Sequence, residues 1–210
     1  MAILKLQDGT IVPGATTIVK LLDKPYLIKW ANNLGKQGID VEEYKQREAR
    51  LGILIHQAIE SHNTKKEIDI SDYTEEEFKN AATVFYEHYL KWERCHNFIP
   101  LKNELQLVSE QYKFGGVIDA YGILDGKYTV IDYKTGKSIS NDQILQLSSY
   151  IQLLQENGYQ VDQILILDVR KTISLPLEEK YLTIDEALPY WEMFKHLIEV
   201  YWIKKSLNWK

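Results

Sequence analysis

The segment that most constrains the fold is Gly115–Gly136, GGVIDAYGILDGKYTVIDYKTG, in which two apolar runs flank the dipeptide Asp125-Gly126. Asp-Gly between two such runs is typical of a two-residue type I′ turn. Counting outward from this turn places Asp119 directly opposite Asp132. The Cβ atoms of directly opposed residues lie roughly 4.5–5.5 Å apart on one face of a sheet. The sequence therefore predicts a β-hairpin that brings two carboxylates together.

Two opposed carboxylates repel each other, and a divalent cation between them removes that repulsion. Carboxylate oxygens suit Mg²⁺ or Mn²⁺. Lys134 shares a face with Asp132 because side chains alternate along a strand with a period of two. An ammonium group in that position can neutralise a phosphate as it gains charge. The pattern favours a metal site for phosphoryl chemistry; the alternative is a pair of exposed aspartates with Lys134 in a surface ion pair.

The periodicity on either side of the hairpin predicts an α/β fold. Thr74 with Glu77, and Ser140 with Gln143, have the spacing of capping boxes that open helices. Pro100 is expected to end the helical part, and Gly158 suits the position just after a helix. The predicted elements are a hairpin over 1–13, helices over 16–62 and 74–95, strands over 104–108, 114–124, 127–134 and 161–169, and helices over 140–156 and 184–207.

Length and composition favour one domain. The 210 residues are 45% hydrophobic and 26% charged, as in ordinary globular proteins. We expect a single domain over 1–210, with a hairpin and helical part at 1–100, a catalytic core at 101–170 and a C-terminal helix at 171–210. No apolar run approaches the ~20 residues that span a bilayer, and the N-terminus does not resemble a signal peptide. The single cysteine, Cys95, excludes a four-cysteine iron–sulfur cluster and favours a cytoplasmic location.

Two further pairs of residues have helical spacing. Gln146 and Tyr150 are four apart and share a helix face, where they can contact a phosphate, orient Lys134 or simply form a polar helix edge. Gly52 and His56 are also four apart, and the missing side chain of Gly52 allows another backbone to approach. His56 is then either a further metal ligand or a partly buried, hydrogen-bonded histidine.

As a set, these motifs resemble the RecB-like branch of the PD-(D/E)xK nuclease superfamily, including phage-type and mitochondrial genome maintenance exonucleases. The resemblance rests on Gly52-x-x-x-His56, Gly116-Val-Ile-Asp119, Ile131-Asp-Tyr-Lys134-Thr-Gly and Gln146-x-x-x-Tyr150, together with the opening VPGATTIVKLLDKPYLIKWA. It implies a restriction-endonuclease-like core, with a central mixed β-sheet flanked by helices and an N-terminal helical elaboration.

The resemblance also implies roles for individual residues. The metal ligands would be His56, Asp119, Asp132 and the Tyr133 carbonyl. The catalytic lysine would be Lys134, with Gln146 and Tyr150 as the pair typical of the branch and Glu104 as an auxiliary acid. Contacts to DNA are expected from Thr16, Trp30 and Lys137.

The expected activity is metal-dependent hydrolysis of DNA, as an exonuclease on single-stranded or end-bearing DNA in recombination or repair. Two alternatives stay open: a structure-selective endonuclease or resolvase, and a catalytically silent DNA-binding module. A separate helicase or recombination protein is the expected partner, in a bacterial or phage-infected cell.

Overall fold

A mixed β-sheet lies at the centre of the protein, whose computed structural model describes residues 3–136 and 138–209. Within those residues the sheet has five strands in the order β1-β2-β3-β4-β5, with β3 and β4 parallel and the other neighbours antiparallel. The strands are β1 (Phe98–Ser109), β2 (Phe114–Leu124), β3 (Lys127–Lys134), β4 (Gln163–Asp168) and β5 (Glu178–Thr183). The predicted mixed sheet flanked by helices is confirmed.

The predicted β2–β3 hairpin forms with the expected register. Asp125 and Gly126 both have positive φ angles, of 49° and 83°, as a type I′ turn requires. From this turn the ladder runs from Leu124 opposite Lys127 to Ala120 opposite Ile131. The turn therefore fixes which residues of the two strands meet.

One face of the sheet is covered by α6 (Asn141–Glu156) and α7 (Ile184–Ser206). The predicted capping box of Ser140 and Gln143 opens α6. Gly158, with φ 81°, follows the C-terminus of α6, as expected of a residue that adopts a left-handed conformation. The core on this side, which we call the α6-side core, includes Ile118, Tyr121, Val130, Tyr150 and Ile166.

The opposite face is covered by α3 (Val41–Thr64), α4 (Glu75–Val84), a π-helical turn at Phe85–Tyr89 and α5 (Leu90–Cys95). The predicted capping box of Thr74 and Glu77 opens α4. This α3-side core includes Leu54, Ile55, Ala120, Ile131 and Tyr133. Consecutive strand residues thus bury their side chains in two different cores.

The N-terminal segment is attached to the start of β2. The predicted hairpin forms around Asp8 and Gly9, with a bridge between Lys5 and Ile11. The Gly115 N–H donates to the Pro13 carbonyl at 3.0 Å, just before α1 (Ala15–Val19). The next helix, α2 (Tyr26–Lys36), has no buried residue and contacts α3 through Trp30, whose ring lies 6.0 Å from that of Tyr44.

Two features of the sheet differ from the sequence prediction. Pro100 does not separate helix from strand, because β1 begins at Phe98 and absorbs the proline at a register shift between Pro100 and Lys102 on an edge strand. The edge strand β5 was not predicted, because half of EEKYLT is charged and only Leu182 is buried. No helix in the described ranges has the length and apolarity needed to cross a membrane.

Candidate active site

The site is built where the two-residue alternation of the sheet breaks. Ala120 packs in the α3-side core, yet Ile118, two residues earlier, packs in the α6-side core. The alternation of β2 therefore reverses at Asp119. On β1 the residue between the pairs Asn103–Ala120 and Leu105–Ile118 is Glu104, which has a positive φ of 47°.

Asp119 is not paired in the β2–β3 ladder, and its side chain makes the contacts at this position instead. Its Oδ2 accepts a hydrogen bond from the Tyr133 N–H at 2.9 Å. The same oxygen lies 3.5 Å from Nδ1 of His56 on α3. The predicted direct pairing of Asp119 with Asp132 is therefore not part of the ladder, which ends at Ala120 and Ile131. The strands separate here because a carboxylate replaces a backbone carbonyl as the acceptor.

Asp132 is a buried carboxylate on the α6 side of the sheet, only 2% exposed. The pKa of Asp132 is raised to about 7, mainly by burial and also by the charge of Asp119, while Lys134 acts in the opposite direction. The Lys134 ammonium forms an ion pair with Oδ2 of Asp132, so the two share a face as predicted. Asp119 and Asp132 thus repel each other beside a cation.

Glu104 adds a third carboxylate. It stays accessible from a cavity of about 440 Å³ between α3 and the sheet. The pKa of Glu104 is raised to about 7 by partial burial together with the charges of Asp119, Glu60 and Asp132. The cavity is lined in part by Gly52, His56, Glu60, Glu104, Thr135 and Lys171.

Glu60 is a residue of this site that the sequence analysis did not single out. The structure places it in the same cavity as Glu104, close enough to raise the pKa of that residue. The available signal was its position four residues after His56, on one face of α3.

Gln146 and Tyr150 lie against the other side of the site. The Gln146 side-chain amide donates to the Tyr150 hydroxyl at 2.6 Å, as their spacing predicts. Tyr150 is 3% exposed, so the pair is not a polar helix edge. Burial raises the pKa of Tyr150, and so do the charges of Asp132 and Asp119. A Cβ atom on Gly116 would lie 2.5 Å from Cε1 of Tyr150, so this glycine makes room for the ring.

Gly52 makes room for a side chain and not, as expected, for another backbone. A Cβ atom at Gly52 would lie 2.9 Å from Oγ1 of Thr135, the residue after Lys134. Close packing at Gly52 thus brings α3, which carries His56, against the end of β3.

Comparison with known proteins decides the family. The chain matches the family model of the PD-(D/E)XK nuclease superfamily over residues 26–198. It belongs to that superfamily. No curated protein matches the sequence.

Nucleases of this superfamily use divalent metals, typically Mg²⁺ or Mn²⁺. In residues 3–136 and 138–209 no three His, Cys, Asp or Glu side chains already converge as a coordination shell. The donors nevertheless fit such an ion. The pKa values of Asp132 and Glu104 are raised by burial and by neighbouring negative charges, and a hard cation stabilises the charged form of such carboxylates. Tyr133 can contribute only its backbone, since its side chain is buried in the α3-side core.

Two of the three residues expected to contact DNA, Thr16 and Trp30, lie within the described part of the chain. Thr16 lies outside the matched residues but lines a polar cavity of about 400 Å³ together with Lys20, Lys24 and Gln146. Trp30 is half-buried against Tyr44. Lys137 lies outside the described residues.

Proposed function

We propose that the chain is a metal-dependent deoxyribonuclease of the RecB-like branch that acts as an exonuclease on single-stranded or end-bearing DNA. The observation that carries this proposal is the grouping of Asp119, Asp132 and Glu104 beside the ammonium of Lys134, in a chain of the PD-(D/E)XK superfamily. Hydrolysis of a phosphodiester uses both kinds of group. The carboxylates bind the metal ion, and the ammonium neutralises the charge that develops on the phosphate.

The proposed metal ligands are His56, Asp119, Asp132 and the Tyr133 carbonyl, with Glu104 as an auxiliary acid. A bound divalent cation lowers the pKa of a coordinated water and polarises the scissile phosphate. Asp119 lies between the two sides of the site, since its carboxylate already contacts both His56 and the Tyr133 N–H.

Lys134 is proposed to stabilise the charge that develops on phosphate in the transition state. Its position is restrained by the ion pair with Asp132 and by the backbone, because the Val169 N–H donates to the Lys134 carbonyl at 2.7 Å. Preorganised charge of this kind contributes directly to rate. Gln146 and Tyr150 would support the same region from α6.

A path for the strand is supported by the polar cavity beside α1. Lys20 and Lys24 line it and Gln146 forms one wall, so a phosphate bound there would lie next to the proposed active-site pair. The exposed Tyr26 on α2 also lines this cavity and provides an aromatic ring against which an unpaired base could stack, and Trp30 lies one turn further along the same helix. Lys137 stays a predicted DNA contact, and a separate helicase or recombination protein stays the predicted partner.

The test compares labelled linear and circular single strands of the same sequence. With Mg²⁺ or Mn²⁺ we expect shortening of linear DNA from its ends, no loss of the circle, and no reaction with excess chelator. Duplex DNA with blunt or single-stranded ends shows which end is used.

Each other outcome favours a named alternative. Cutting of the circle would favour a structure-selective endonuclease or resolvase. Binding without metal-stimulated cleavage of any substrate would favour a silent DNA-binding module.

A further inference from the structure

A row of charged residues crosses three strands on the α6 side of the sheet. Lys134 on β3 is paired with Asp168 on β4, and Asp168 is paired with Glu178 on β5. Residues paired across a sheet place their side chains on the same face. Ile164 and Ile166 of β4 lie in the α6-side core, so Asp168, next in that alternation, faces the side that holds Asp132.

Asp168 is fully buried, and neither carboxylate oxygen has a hydrogen bond of ordinary geometry within residues 3–136 and 138–209, although the Gly136 backbone N–H lies close enough to oppose the rise in its pKa that burial causes. Its nearest cationic atom in that part of the chain is Nε of Arg170, at 3.6 Å. The Arg170 guanidinium in turn forms an ion pair with Glu178. A buried carboxylate without hydrogen bonds is destabilising unless cations surround it. Asp168 therefore depends on its cationic neighbours.

We propose that Asp168 is a positioning residue for Lys134. This inference rests on the proposed function, in which Lys134 is the catalytic lysine. Asp168 attracts the ammonium from the neighbouring strand β4, in addition to the ion pair that Lys134 makes with Asp132 on its own strand.

The physical reason is that Asp132 would interact with two cations at once, the metal ion and the Lys134 ammonium. In the proposed mechanism Asp132 is a metal ligand, and a carboxylate that binds a divalent cation attracts an ammonium group less strongly. Asp168 is not among the proposed ligands, so its charge stays directed at Lys134 throughout.

A simpler role for Asp168 would be to anchor Arg170 and so fix β5 to the sheet. The two roles can be separated because the cationic neighbours of Asp168 lie in different parts of the chain, Lys134 on β3 and Arg170 just after β4. Removing the charges of Asp168 and Arg170 together abolishes the anchor and leaves only Glu178, whose side chain is 42% exposed, without its partner. The same double change still removes the carboxylate beside Lys134.

The experiment compares Asp168→Asn, Arg170→Gln and the double variant with the unmodified chain. We expect Asp168→Asn to lower kcat by about 10- to 100-fold, the usual effect of removing a supporting residue, with KM changed by less than about threefold. Arg170→Gln should keep kcat near that of the unmodified chain. The double variant should recover most of the melting temperature lost in Asp168→Asn but not its kcat. Recovery of both would overturn the proposal in favour of the anchor.

A second measurement requires neither activity nor metal. In excess chelator, Asp168→Asn should change the melting temperature less in a Lys134→Met background than in the unmodified chain, because its cationic neighbour is then already gone. Equal changes in both backgrounds would overturn the proposal. If the unmodified chain cleaves no DNA, the proposed function fails, and this cycle still decides whether Asp168 and Lys134 interact.

Discussion

The two ends of the β2–β3 hairpin are built from the same two strands but do opposite things. At the turn end, Asp125 and Gly126 close the hairpin and the ladder is continuous through Ala120 and Ile131. At the open end, the strands separate and the Asp119 carboxylate takes the hydrogen bond of the Tyr133 N–H. One end therefore sets the register, and the other uses it to place charged groups.

The two ends also share an unusual backbone conformation. Both ends contain acidic residues with positive φ, Asp125 at the turn and Glu104 on the neighbouring strand at the open end. At the turn this conformation is required by the turn type, and the Asp125 carboxylate accepts a hydrogen bond from the Asn97 N–H at 2.8 Å. At Glu104 it interrupts a strand, which reverses the side-chain alternation and turns a third carboxylate toward the site.

The largest expected effect comes from the same chemical change made at each end. Asp119→Asn keeps an oxygen that can accept from the Tyr133 N–H but removes a charge that the proposed metal site needs. We expect a loss of cleavage rate of about 10³-fold or more. Asp125→Asn, the matched control, should keep full activity because asparagine also suits a type I′ turn. Rates are measured on end-labelled single-stranded DNA with Mn²⁺.

Circular dichroism and melting curves of both variants check that the fold is kept. An active Asp119→Asn enzyme would remove the open end from the catalytic mechanism. An inactive but folded Asp125→Asn enzyme would show that the turn end of the hairpin also contributes to activity.

A second, smaller effect is expected at two glycines of β2. A Cβ atom at Gly116 would meet the Tyr150 ring at 2.5 Å, and one at Gly122 would meet the Ile99 carbonyl oxygen at 2.3 Å. Each substitution to alanine should lower the free energy of unfolding by about 1–3 kcal/mol, since both overpack the interior. Only Gly116→Ala moves the proposed active-site tyrosine, so only it should lower kcat, by about 10- to 100-fold.

Urea unfolding gives the stabilities, and activity is expressed per folded molecule at a low temperature. Equal kcat losses in Gly116→Ala and Gly122→Ala would mean that strain spreads along β2. Tyr150 would then have no special role in the difference.

The sequence predicted the regular parts of this molecule because they depend on local rules. The Asp-Gly turn set the register of β2 and β3, and the spacing of Ser140 and Gln143 correctly placed the start of α6. That Gln146 and Tyr150 share a helix face followed from helical periodicity alone, and the hydrogen bond between them agrees with it. Each of these features involves residues that are close in the chain.

The irregular parts depended on tertiary contacts that no local pattern contains. A positive φ is uncommon for glutamate, so nothing near Glu104 indicated that the alternation would reverse there. Strand β5 exists because β4 offers an edge to pair with, not because EEKYLT favours a strand. Likewise, Asp168 ends an apolar run, and only the pairing of β3 with β4 places it beside Lys134.

The smallest expected effect concerns pH and tests the crowding of acids at the open end. Burial, together with Asp119, Glu60 and Asp132, raises the pKa of Glu104 from 4.5 to about 7. A raised pKa in the folded state means that the stability contributed by the protonated acid is present below pH 4.5 and is lost as the pH rises to about 7. Glu104→Gln resembles the protonated acid at every pH and should escape this loss.

In excess chelator, Glu104→Gln should therefore melt close to the unmodified chain at about pH 4 and about 2–5 °C higher at about pH 8. The expected effect is small because Glu104 is accessible from the cavity, where water screens its charge. Glu76→Gln, at an exposed position in the first turn of α4, is the control and should show no such gain, because the ionised carboxylate there interacts favourably with the helix dipole. A difference for Glu104→Gln that does not grow between these pH values would mean that the acids at the open end do not repel one another, and the electrostatic contrast between the two ends of the hairpin would disappear.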